Sequence, residues 1–140
     1  MKLLMVIFLF LCGHFGQHTA NDLTINLSGL EPNRGQLIIS VYDNQDDFLL
    51  IGKEFRTRVI KVTASEEVVV FKGIPQGVYA VTTYQDKDSD GKMAKNFFGI
   101  PKEKYGFSNN YRPLLTAPHF DDCKFELNGD TTIKIKLKKF

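Results

Sequence analysis

The chain has 140 residues, enough for one domain with its own core and too few for two. Its 18 basic and 16 acidic residues leave a formal charge of +2, without the basic excess or stripe of a nucleic-acid surface.

In chain order, Met1 and Lys2 precede an unbroken apolar run over residues 3–12, the layout of a secretory signal peptide. The run is shorter than the roughly 20 apolar residues needed to span a bilayer. "GQHTA" then supplies a polar exit ending on a small residue. The expectation is a signal peptide helix over residues 1–20, cleaved near Ala20. A secreted or periplasmic domain over residues 21–140 then keeps no transmembrane anchor. Cleavage removes Lys2 and lowers the formal charge from +2 to +1. It also removes Cys12, His14 and His18, leaving Cys123 and His119 as the only thiol and imidazole. Such a domain has no internal disulfide and cannot assemble the ligands of a His/Cys zinc site by itself. A hydrolytic triad would have to use His119, and no nucleophile elbow, P-loop or dinucleotide fingerprint is present.

From there the pattern has period two. "LTINL" sets Leu23, Ile25 and Leu27 on one face, and "QLIISVY" does the same with Leu37, Ile39 and Val41 after the turn signal "EPNRG". "RTRVIKV" and "EEVVVFKGI" are β-branched runs separated by "TASE", and "GVYAVTTY" alternates Tyr79, Val81 and Thr83 against Ala80, Thr82 and Tyr84. "CKFEL" and "TTIKIKL" flank "NGD", a hairpin signal with Asn128 and Gly129 at its tip. About seven short strands predict an all-β fold, a single antiparallel β-sandwich of immunoglobulin-like or prealbumin-like type with one long irregular loop. In the last strand Lys134, Lys136 and Lys138 share a face opposite Ile133, Ile135 and Leu137, the pattern of a strand's solvated side, and lysines also discourage edge-to-edge aggregation. Cys123 is in phase with Phe125 and Leu127 and reads as a small core residue. His119 reads as a loop residue.

The irregular stretch over residues 86–120 is long for a compact domain, and loops of that kind are often functional. Tyr105, Phe107, Asn109, Asn110 and Arg112 are its candidate binding residues, for a small molecule or an envelope protein. The preferred reading is that the rings, with Phe97, Phe98 and Tyr111, pack down over one end of the sandwich, because exposed aromatic clusters are costly unless used.

The loop opens on "YQDKDSDGKMAKN". Asp86, Asp88 and Asp90 alternate, Gly91 permits a sharp turn, and the Lys92 carbonyl and Asn96 amide supply further oxygens, a set that suits Ca2+. An EF-hand would follow with an acidic residue where Phe97 stands, and the position before Lys95 is Ala94. Asp and Gly also favour turns for their own reasons. Any calcium here would be weakly held and structural, fixing the start of the loop.

"FKGIPQGVYAVTTYQDKDSDGK" resembles the Pro-x-Gly-x-Tyr signature of prealbumin-like and carboxypeptidase-regulatory-like sandwiches. "NFFGIPKEKYGFSNN", with "GQLIISVYDNQDDF" before it, resembles the bacterial secreted family of domain of unknown function 2141, over residues 23–137. That resemblance implies a β-sandwich of unknown activity and brings no catalytic residues. Members commonly carry an aspartate where this chain has Ala94. The functional expectation is therefore a non-catalytic binding or structural module. The alternative is an envelope hydrolase using Asp86, Asp88, Glu103 or Asp121 as acid and base.

Overall fold

The computed structural model describes residues 20–140. The expected signal peptide lies outside the described residues, except for Ala20. The eight strands are β1 (Ala20–Ser28), β2 (Gln36–Tyr42), β3 (Arg56–Lys61), β4 (Glu66–Pro75), β5 (Gly77–Asp86), β6 (Tyr105–Phe107), β7 (Phe125–Leu127) and β8 (Thr131–Lys136). A 3-10 turn, Ser108–Asn110, and one turn of helix, α1 (Phe120–Cys123), complete the fold. Among the described residues no helix is long and apolar enough to cross a membrane.

The strands form two sheets, β4-β1-β8 and β3-β2-β5-β6, with β7 extending the same edge of β5 that carries β6. The period-two faces meet between them. Leu23, Ile25 and Leu27 of β1, with Val69, Phe71 and Ile135, pack against Leu37, Ile39, Val41, Tyr79, Val81 and Leu127. Burying an aliphatic side chain of this size contributes about 1.5–3 kcal/mol, so these alternations, more than local propensity, hold the sheets face to face. The all-β sandwich read from the sequence is the fold found, with an eighth strand added.

Three local expectations are corrected. Asn128-Gly129 does not close a hairpin: β7 pairs with β5, whereas β8 crosses to the other sheet and runs parallel to β1, Ile25 opposite Ile133. A two-residue Asn-Gly hairpin turn needs positive φ at both residues, and neither residue has it. Cys123 ends α1 instead of starting a strand. Asp121 and Asp122 occupy the first turn of α1, where carboxylates are favoured, and Asp122 accepts the His119 N–H at 2.8 Å. β6 lies inside the stretch that shows no strand pattern. It holds the edge of the sandwich: Tyr105 and Lys138 exchange backbone hydrogen bonds at 3.0 Å, and a Cβ on Gly106 would meet Ile135 Cγ2 at 2.6 Å.

The core contains one mismatch. Thr83 faces inward beside Ile39, and its hydroxyl is buried without a hydrogen-bond partner among the described residues. Thr83→Val removes that hydroxyl at nearly constant shape. It is expected to stabilise the domain by about 1 kcal/mol, raising the thermal midpoint by about 4 °C. A lower midpoint would mean that the hydroxyl has a partner after all, such as an internal water.

Candidate functional site

Alternation gives β2 and β5 a second face, pointing away from the core. On it the register lines up two rows across the sheet. Val59, Ile38, Tyr84 and Tyr105 form one, and Thr57, Ser40, Thr82 and Phe107 form the next. Small side chains fill three of the four positions in the second row, so the sheet is hollowed along it. Ser40 and Thr57 satisfy each other there at 3.2 Å. Beyond lie Tyr42 and Ala80, at the start of a second apolar cluster with Phe48, Phe120 and Cys123. Edge-to-face contacts of Phe48 with Tyr42 (5.4 Å) and Phe120 (5.8 Å) close that end.

The long loop raises the walls. Its first turn is organised by Asp86, the last residue of β5, which is 0% exposed. Asp86 accepts the Gly91 N–H at 2.8 Å, the Gln36 amide at 2.9 Å and the Asp90 N–H at 3.3 Å. Burial opposes its ionisation, but these bonds outweigh it and hold the carboxyl below its ordinary 3.8. Exposed Asp88 is pushed the other way, first by its contact with Asp86. Glu103, brought back by the chain, accepts the Lys87 N–H at 2.8 Å and the Ala94 N–H at 3.1 Å. Between Ala94 and Lys102 the chain makes a finger. Asn96 holds its tip by accepting the Phe98 and Ile100 N–H groups at 2.9 and 3.0 Å. Phe97 and Phe98 stack edge-to-face at that tip, in solvent.

Between the hollowed sheet, the finger, and residues 113–118 lies a groove of about 1000 Å³. Its floor includes Ile38, Tyr84, Tyr105 and Phe107, and Met93, Ile100 and Pro101 line the finger side. The rim includes Ile51 and Leu115, 95% and 98% exposed, together with Phe98, Leu114 and Phe140. Burial, helped by Glu54, pushes the Tyr42 phenol up to about 12. Burial also pushes Tyr84 up to about 12, with Asp86 and Glu103 adding to it.

The sequence-predicted residues therefore separate. Tyr105 and Phe107 are buried in the groove floor. Asn109, Asn110 and Arg112 do not line it and bind the chain itself: Asn109 reaches the Lys124 carbonyl at 2.8 Å, Asn110 the Lys134 carbonyl at 3.1 Å, and Arg112 the Lys136 carbonyl at 2.6 Å. Of the residues read as calcium ligands, Asp86 and Asp88 converge with Glu103, their carboxylate oxygens lying within 4.8 Å of one another. Asp90 caps Lys92 at 2.8 Å, and Asn96 serves the finger. Glu103 joins the cluster from 16 residues beyond Lys87, a closure that no local spacing announces. Cys123 is fully buried, and burial, with Asp122 nearby, pushes its thiol up to about 12, the opposite of an activated nucleophile. Lys134, Lys136 and Lys138 are exposed, as the solvated face of a strand requires.

No curated protein and no solved structure matches the chain. A family model described as "Uncharacterized protein conserved in bacteria (DUF2141)" matches residues 25–135. The chain belongs to that family, an uncharacterised bacterial domain with a β-sandwich fold.

Proposed function

We propose that this domain is a non-catalytic binding module, exported to the periplasm or beyond, whose loop-walled groove takes up an apolar ligand. One observation carries the reading: the outer face of the larger sheet is concave, apolar and rimmed by exposed Ile51, Phe98, Leu114, Leu115 and Phe140. An isolated surface leucine means little, but contiguous apolar surface around a concavity marks a binding site. The apolar run over residues 3–12 supports export. Acid–base chemistry has weaker support. Asp86 and Glu103 are buried and spend their oxygens on backbone N–H groups, and Asp121 pairs with Lys124 at 2.8 Å.

The test uses Nile red, a neutral dye that fluoresces in apolar surroundings. Binding is expected for the wild-type protein. It should fall about tenfold in Leu115→Asp and in Val59→Asp, each of which sets a charge against an apolar ligand. Both positions are exposed, so both variants should keep the wild-type unfolding midpoint. Wild-type-like dye binding in both would remove the groove from consideration.

A calcium-fastened loop is the finer part of this reading, supported by the convergence of Asp86, Asp88 and Glu103. Carboxylate oxygens that accept one N–H keep a lone pair for a cation. With a cation held there, the unfolding midpoint rises with calcium in the wild type and not in Asp88→Ala. Saturation at a hundred times the dissociation constant adds about 2.7 kcal/mol. A midpoint unmoved between EDTA and millimolar calcium makes the segment a hydrogen-bonded turn.

A further inference from the structure

We infer that the groove's ligand is a single-chain anionic amphiphile, its acidic head held by Lys92 and Lys95 and its chain laid along the sheet floor. The inference rests on the binding reading above and adds the ligand's chemistry. Among the described residues, three charged side chains line the groove: Glu54, Lys92 and Lys95. Glu54 lies close enough to the Tyr42 phenol to help raise its pKa. Among the described residues neither lysine forms an ion pair, whereas Lys87 and Lys104 of the same loop are tied down, to Glu31 at 2.7 Å and to the Gly29 carbonyl at 2.7 Å. The groove's unmatched charge is therefore positive, and it sits on one wall, at the finger. The rest of the lining is apolar or carries hydroxyls, apart from Gln36, whose amide donates to Asp86 at 2.9 Å. A neutral hydrocarbon would leave the two cations unused, and a small anion would leave the apolar floor uncovered.

Shape argues for a free molecule over a bilayer surface. Phe107 and Ser40 lie buried at the bottom of the hollow, beneath rim residues such as Leu115 that stand almost fully in solvent. A flat membrane reaches the rim and not the floor, whereas one acyl chain follows it. The volume, about 1000 Å³, is at the upper end of the roughly 300–1,000 Å³ typical of small-molecule sites, which suits a chain with its head group.

Laurate, dodecanol and dodecyltrimethylammonium share a chain length and differ in head charge. Each competes with Nile red for the purified protein. Laurate is expected to displace the dye at about tenfold lower concentration than dodecanol, with the cationic amphiphile weakest. The double variant Lys92→Gln/Lys95→Gln should bring laurate to the level of dodecanol and leave dodecanol unchanged. Equal potency of laurate and dodecanol on the wild type overturns the head-group assignment and leaves the apolar groove standing. Failure of Nile red itself to bind removes the groove reading beneath it. Sedimentation with phosphatidylcholine vesicles containing phosphatidylglycerol, without displacement by laurate, also overturns the inference, because the face would then be a membrane contact.

Discussion

Replacing Gln85 by alanine is expected to cost about 3–5 kcal/mol and to lower the thermal midpoint by roughly 10–20 °C. Gln85 is 0% exposed and uses its whole amide. Its Nε2 donates to the Glu31 and Arg34 carbonyls, each at 2.8 Å, and its Oε1 accepts the Glu31 N–H at 2.8 Å. The side chain thereby stands in for a strand partner of the turn that connects β1 to β2, strands of opposite sheets. The turn lies hard against β5: Gly35 has φ +64°, and a Cβ there would fall 2.0 Å from the Asp86 carbonyl. Alanine at position 85 leaves three backbone groups without partners and a cavity beside them. Gln85→Met separates the two terms by filling the volume without the hydrogen bonds, and should still cost about 2–3 kcal/mol. A methionine variant as stable as the wild type would refute the clamp. Chemical denaturation of both variants with an unchanged m-value would confirm that the native state alone is affected.

Gln85 also shows what sequence can and cannot convey. The strands were legible because one face of each is buried and alternation with period two follows directly. Gln85 follows just beyond "GVYAVTTY", in phase with Val81 and Thr83, yet nothing local says that its amide reaches residues more than fifty positions earlier. The groove floor was written in "QLIISVY" as well. Ile38 and Tyr42 are apolar on the face opposite Leu37, Ile39 and Val41, the mark of a strand covered on both sides. A one-sided reading of the alternation passes over that signal. β6 was beyond reach because three residues with a glycine at the centre show no period. The polar trio Asn109, Asn110 and Arg112 looked like a recognition set because it sits among aromatic residues. In the fold its hydrogen bonds go to the backbone of β8 and to the Lys124 carbonyl beyond α1, needs that exist only once the chain has returned.

Asp86→Asn is expected to cost about 2–3 kcal/mol at neutral pH and to weaken Nile red binding together with stability. The wild-type carboxylate accepts from three N–H donors, Gly91, Asp90 and the Gln36 amide, with the Asp88 carboxylate beside it. An asparagine must turn its NH2 toward at least one of these donors, so a bond is lost whichever way the amide is set. The pH dependence has a definite sign. The folded-state pKa of Asp86 lies below its ordinary 3.8, so its contribution is complete above that value and is lost as the pH falls through the lower, folded-state value. The stability gap between wild type and Asp86→Asn should therefore be constant at neutral pH and close below about pH 4. Asp88 titrates in the opposite sense, but it is exposed and its part is small. The functional consequence follows from the same bonds: Asp86 fixes the turn that leads into Lys92, Met93 and the finger, one whole wall of the groove. Leu115→Asp should weaken dye binding about tenfold in a protein of normal stability, whereas Asp86→Asn should impair both, because it releases the wall without changing any lining residue. An asparagine variant with a wild-type midpoint and an unchanged acid limb would show that the loop is held by something other than this carboxylate, and the wall would then have to be explained from Glu103 alone.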